Sequence, residues 1–129
     1  MSFCTAINCM DGRVQLPVIG FLKKYFSVNY VDIVSEPGPN RILAEQTDSK
    51  IVKSILHRVD ISVQKHRSKG IAIVGHYDCA GNPSDKSEQI SHLQAAISFL
   101  RKHYSEIEII GLWVDENWYV NEITSNKIS

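Results

Sequence analysis

The sequence has no excess of either charge: 14 Lys and Arg are matched by 14 Asp and Glu over 129 residues. Without a basic surplus there is little to attract a phosphate backbone, so nucleic acid is excluded as an expected partner. No apolar run approaches the ~20 residues that cross a bilayer, which excludes a membrane-spanning helix. The N-terminal stretch Met-Ser-Phe-Cys-Thr-Ala-Ile-Asn-Cys has neither the basic region nor the long apolar core of an export signal, and a cytoplasmic location is expected. Cysteine is scarce at 3 residues, which in such a chain argues against a disulfide framework. There is no internal repeat, low-complexity tract or linker, so one domain over residues 1–129 is expected. Near-zero net charge does little to oppose self-association, which favours a homo-oligomer.

What remains is an ordinary globular composition, 43% hydrophobic and 22% charged. A chain of this length buries about two-thirds of its unfolded surface. It needs no metal to hold a core, so a bound metal would serve chemistry. Phe3–Asn8 reads as a strand running into the loop Cys9-Met10-Asp11-Gly12-Arg13, and Leu16, Ile19, Gly20, Leu22 and Tyr25-Phe26 follow at helical spacing. Tyr30–Val34 is a second strand, stopped by Pro37-Gly38-Pro39. One long amphipathic helix is expected from Ile42 to about His66, with Thr47 or Asp48 as an internal cap and Gly70 as its end. Ile71–Val74 reads as a strand buried on both faces, and Ser84-Asp85 caps a helix carrying Ile90, Leu93, Ile97 and Leu100. Ile107–Val114 is a fourth strand, and Trp118–Ile123 returns antiparallel through a turn at Glu116-Asn117. This alternation predicts an α/β fold: a mainly parallel central sheet of four strands, a closing antiparallel strand, and helices on both faces.

In such sheets ligands bind beyond the carboxyl ends of the strands. Cys9 follows the first strand there, and Gly75-His76-Tyr77-Asp78-Cys79 follows the third. His-x-x-Cys alone equally describes a loop histidine beside a buried free cysteine. Cys9 adds a second sulfur, and two thiolates with one imidazole suit Zn²⁺ with a fourth position left over. Cys4 is a poor fourth ligand, since five extended residues separate it from Cys9 by about 16 Å. Odd spacing along a strand also sends the two side chains to opposite faces. The fourth position then falls to water, which zinc can ionise near neutral pH, or to Asp11. Arg13, two residues beyond Asp11, can hold that carboxylate ionised and oriented, although an ordinary loop salt bridge has the same spacing.

Cys9-Met10-Asp11-Gly12-Arg13 resembles the Cys-x-Asp-x-Arg motif of the β-class carbonic anhydrases, and Gly75-His76-Tyr77-Asp78-Cys79 resembles that family's Gly-His-x-x-Cys. Gly111-Leu112-Trp113-Val114-Asp115 is similar to its last core strand. The resemblance implies that Cys9, His76 and Cys79 bind Zn²⁺ and that Asp11 and Arg13 form a catalytic pair. It also implies reversible hydration of CO₂ to bicarbonate as the reaction and a homodimer or higher homo-oligomer as the assembly. The rivals are a zinc hydrolase for carbonyl sulfide or carbon disulfide and a non-catalytic zinc-binding homologue. The hydrolase reading is motivated by a departure after the second strand, in the loop Ser35–Pro39, where Ser35 and Glu36 stand in place of the family's Arg and Asn. His57, His66, His92 and His103 are expected on helices, largely facing solvent. Pro37–Arg41 lacks the spacing of a phosphate loop, and Trp113, Trp118 and Tyr119 read as hairpin or subunit packing.

Overall fold

The structure, a computed structural model, describes residues 1–123. Strands β1 (Phe3–Cys9), β2 (Tyr30–Glu36), β3 (Gly70–His76) and β4 (Glu108–Val114) pair in parallel, and the short β5 (Val120–Glu122) closes the sheet antiparallel to β4. The spatial order is β2-β1-β3-β4-β5. Helices α1 (Gln15–Tyr25), α2 (Pro39–Glu45), α3 (Ser49–Lys65) and α4 (Lys86–His103) cover it. The expected architecture, four parallel strands with an antiparallel closing strand and helices on both faces, is the one observed.

The two faces are filled unequally, and the period of two along the strands decides which residues go where. On one face α1 stands alone, its Val18 and Leu22 packing on Cys4, Ala6, Ala72, Val74, Ile110 and Leu112. On the other, α2, α3 and α4 bring Leu43, Ile55, Leu93 and Leu100 against Ile7, Ile71 and Ile73. β3 is buried at every position, which is why Ile71–Val74 is apolar without alternation. Each fully buried aliphatic side chain of this kind contributes about 1.5–3 kcal/mol.

Several boundaries differ from the sequence expectation. The helix expected over Ile42–His66 is two helices, because Gln46 takes a left-handed backbone with φ 56° and ends α2. Asp48 then starts α3 anew, its carboxylate accepting the N–H groups of Lys50 (3.1 Å) and Ile51 (3.2 Å). Gly70 does not end a helix but opens β3, and its role is contact: a Cβ there would lie 2.1 Å from the Phe26 ring. β2 continues two residues past Val34 to Glu36, while β5 starts at Val120 rather than Trp118. Leu16, counted on the helical stripe, is 81% exposed, and α1 buries Val18 together with the expected Leu22.

The order β2-β1-β3-β4 fixes the place of the site. β1 leads to β2 on one side and β3 leads to β4 on the other, so the chain diverges between the carboxyl ends of β1 and β3 and leaves a crevice. Cys9 and His76 are the last residues of those two strands.

Removing the Asp48 cap with Asp48→Ala is expected to lower unfolding stability by about 1 kcal/mol, read from the urea midpoint. Thr47→Ala, one residue away and not the cap, is expected to leave the midpoint nearly unchanged.

Candidate metal centre

The crevice brings Cys9, His76 and Cys79 together. Their ligand-capable atoms all lie within 4.8 Å of one another, and the three residues are buried, at 3%, 0% and 4% exposure. The two Sγ atoms are 3.8 Å apart. Two sulfurs each 2.3 Å from a tetrahedral ion stand about 3.8 Å apart, so the spacing matches such a site without rearrangement. The His76 ring is set by its Nδ1, 2.8 Å from the Tyr77 carbonyl, to which it donates. That leaves Nε2 as the acceptor, and Nε2 is enclosed with no hydrogen-bond partner. A buried lone pair facing two sulfurs is a donor set suited to a cation.

The sulfurs are held in unequal states. The Cys79 hydrogen bond pulls the Cys9 thiol down against the opposing effect of burial, with help from His76 and from the backbone N–H groups of Gly38 and Asp11. Cys79 is pushed up, first by its bond to Cys9 and then by burial, because a second anion would sit beside the first; the N–H groups of Asn82 and Gly81 act the other way. Burial disfavours charge on His76, yet the nearby Cys9 sulfur, the Tyr77 carbonyl and Asp11 raise its pKa on balance. The pair therefore keeps a proton that a divalent cation would displace. The N–H groups reach both sulfurs because two loops touch backbone to backbone. A Cβ on Gly81 would lie 2.4 Å from the Pro37 carbonyl carbon, and one on Gly38, whose φ is +62°, would lie 2.7 Å from that of Gly81.

Asp11 and Arg13 form a two-pronged pair at the mouth. Arg13 Nη2 donates to Asp11 Oδ2 at 2.7 Å and Nε to Oδ1 at 3.0 Å, and the Arg13 backbone N–H adds a bond to Oδ1 at 2.9 Å. The Arg13 side chain first, and its backbone N–H and charge after it, hold Asp11 down to about 2. Arg13 also reaches the loop of the other ligands, with Nη1 3.3 Å from Asp78 Oδ2 and Nη2 3.1 Å from the Asp78 carbonyl. A cleft of about 360 Å³ opens over Asp11, Arg13 and Cys79, walled by Asp78 and Pro83.

The family described as "Putative carbonic anhydrase" matches residues 1–124. The chain belongs to that family. The fold is also that of solved carbonic anhydrases. One from Glaciozyma antarctica superposes with a TM-score of 0.60 at 12% identity, over 92% of this chain and 80% of that one. A structure described as tetrameric β-carbonic anhydrases from the filamentous ascomycete Sordaria macrospora gives a TM-score of 0.60 at 15% identity, over 94% and 80%. The β-carbonic anhydrase of the fungal pathogen Aspergillus fumigatus gives 0.54 at 13%, over 96% and 76%. No curated protein matches the chain at a significant level.

Within this carbonic anhydrase fold, Cys4 is a wholly buried core residue and takes no part in the cluster. Cys9 nonetheless belongs to the same buried cluster as Cys4, contrary to the expectation from their odd spacing that the two side chains lie on opposite faces. Glu36 does not leave its charge loose beside the centre, since Arg58 of α3 pairs with it. Sequence reasoning missed the residue that holds His76. Gln89 is buried, accepts the His76 N–H at 3.2 Å and donates to the His76 carbonyl at 2.8 Å. It also accepts from Asn40 at 3.2 Å and donates to the Asn82 carbonyl at 3.2 Å, which ties α2 and the ligand loop to the same amide. Its signal was present: Gln89 is a polar residue four before Leu93 and eight before Ile97, on the buried stripe of α4 where Ile90 was expected.

Gln89→Leu keeps the volume but strips partners from both peptide groups of His76. It is expected to lower stability by about 2–3 kcal/mol in urea unfolding. In a Co²⁺ titration followed by visible absorption it is expected to weaken binding about 10-fold or more. Unchanged Co²⁺ affinity would show that the amide supports the fold and not the centre.

Proposed function

We propose that this chain is a zinc-dependent carbonic anhydrase that interconverts CO₂ and bicarbonate. The observation that carries the reading is the donor set: two sulfurs at tetrahedral spacing and an orphaned, buried imidazole nitrogen, with an ionised carboxylate beside them. Cys9, Cys79 and His76 would hold Zn²⁺, and two thiolates balance its charge, so the buried centre is neutral when loaded. Bound there, the metal acts as a Lewis acid that makes water a nucleophile near neutral pH.

The chain's own residues supply the rest. Asp11 cannot serve as an acid near neutrality, because Arg13 keeps it ionised. Its Oδ1 is occupied by the Arg13 N–H and Nε, whereas Oδ2 takes Nη2 and only a longer share of Nε at 3.3 Å. Oδ2 therefore keeps an acceptor site for an O–H in the cleft and can orient it. The Arg58–Glu36 pair offsets negative charge that would oppose a bicarbonate nearby. We further read the protein as a single-domain cytoplasmic homo-oligomer. No helix among the described residues is long and apolar enough to cross a membrane, and the Sordaria structure is described as tetrameric.

Stopped-flow CO₂ hydration on protein of known zinc content tests the reading. Turnover is expected to rise between pH ~6.5 and ~9, the range in which zinc can ionise water. Asp11, lowered to about 2, is already ionised throughout and contributes no limb to that profile. Cys79→Ala is expected to abolish stoichiometric zinc. Asp11→Ala is expected to retain zinc and lose about 100-fold or more in turnover. Full turnover in the Asp11 variant would remove that residue's role, and zinc-loaded protein inert at every pH would remove the CO₂ reading.

A further inference from the structure

The turn between β4 and β5 holds a residue in a conformation its type avoids. Trp118 has φ +63°, in the left-handed region that glycine and asparagine enter readily and a bulky side chain does not. The turn does not require tryptophan. Its hydrogen bonds run from the Asn117 and Tyr119 N–H groups to the Asp115 carboxylate, at 2.9 and 3.0 Å, and from the Trp118 N–H to the Asp115 carbonyl, at 2.9 Å. All of these donors are backbone groups, so glycine or asparagine at 118 would make the same bonds with less strain.

What tryptophan adds is the ring. The guanidinium carbon of Arg13 lies 4.6 Å from the centre of the Trp118 ring, within the range of a cation–π contact. That same guanidinium grips Asp11 with Nε and Nη2 and reaches Asp78 with Nη1. Carboxylates hold it along its edge, and an aromatic ring packs against it. The Arg13 side chain is 45% exposed, and an ion pair that open, held by two loops alone, would be weakly fixed. Strained backbone persists where the surroundings over-determine it, and such positions cluster at functional sites.

We propose that Trp118 is a positioning residue that acts through Arg13, so that the β4–β5 turn fixes the guanidinium and thereby the Asp11 carboxylate at the mouth of the metal centre. Three connections then meet on one side chain: the segment after β1 supplies Arg13 and Asp11, the loop after β3 supplies Asp78, and the turn after β4 supplies the ring. The effect on Arg13 stands on this geometry alone. The effect on turnover rests on the carbonic anhydrase reading above.

The test compares Trp118→Tyr, which keeps an aromatic face, with Trp118→Leu, which keeps apolar bulk without one. Trp118→Asn is a second ringless variant, suited to the left-handed backbone should the leucine variant fold poorly. The readout is hydrogen exchange at the Arg13 Nε–H by ¹H–¹⁵N NMR, its peak identified by its loss in Arg13→Lys. Exchange in the tyrosine variant is expected within about twofold of the parent, and in the leucine and asparagine variants about threefold to tenfold faster. The kcat for CO₂ hydration is expected to fall by a similar factor in the ringless variants, with KM unchanged. Exchange as slow in both ringless variants as in the parent would overturn the proposal whatever their turnover. A parent protein without CO₂ hydration would remove the proposed function and leave the exchange rates to decide the clamp by themselves.

Discussion

Two sulfurs and an imidazole nitrogen buried within a few ångströms of one another are an unfavourable arrangement, and much of the surrounding structure is built to hold it. A second thiolate beside the first is resisted by repulsion and burial, and the chain offsets this with backbone dipoles rather than with buried cations. Gly38 and Asp11 aim N–H groups at one sulfur, Gly81 and Asn82 at the other. Those donors come from three segments, so the topology must bring the segments together. The divergence of the chain between β1 and β3 does so, and it follows from strand order rather than from any ligand.

Positive charge is kept to the rim. Arg13 sits at the mouth and Arg58 comes from α3, and each is matched to a carboxylate, Asp11 or Glu36, so neither leaves an unpaired charge beside the centre. Polar groups beneath the centre are uncharged: Asn40, Asn82 and Gln89 form a buried amide network joining α2, the ligand loop and α4. Neutral amides can satisfy peptide groups at depth without the desolvation penalty of ions. The division is consistent, with ions at the opening, dipoles around the sulfurs and amides below.

The fold class was legible in the sequence, and so was the meeting of Cys9 with His76 and Cys79, because both rest on strong local signals. Ile71–Val74 fits a strand buried on both faces, which it is, and the segments around Cys9 and His76 begin where strands end. The split between α2 and α3 was only partly legible: Asp48 was expected as an internal cap and does cap α3, but the expectation carried a single helix through it. The break is made by one left-handed residue, Gln46, whose type gives no warning. Gly70 misled for the opposite reason, since glycine commonly marks a helix end, yet here it makes room for the Phe26 ring, a contact between residues far apart in sequence. Trp118 was read as hairpin or subunit packing, and neither says which side chain the ring meets. Local periodicity carries elements; it does not carry contacts across the sheet.

The segment Ser35–Pro39 shows how a site can keep its physics while its side chains change. Ser35 and Glu36 replace the residues that the family resemblance leads one to expect, but the backbone there has two duties that depend on neither. The Glu36 carbonyl accepts the Met10 N–H at 3.0 Å, pinning the start of the Asp11 loop to the end of β2. Gly38, at φ +62°, turns its N–H toward Cys9 and lies against Gly81. The flanking prolines support this geometry. Pro39 occupies the first turn of α2, where a missing N–H is harmless, and both rings restrict the unfolded chain around a glycine that would otherwise be costly to order. Substitution at Ser35 and Glu36 changes the charge at the end of β2, whereas the support of the sulfurs depends on Gly38 and its contact with Gly81.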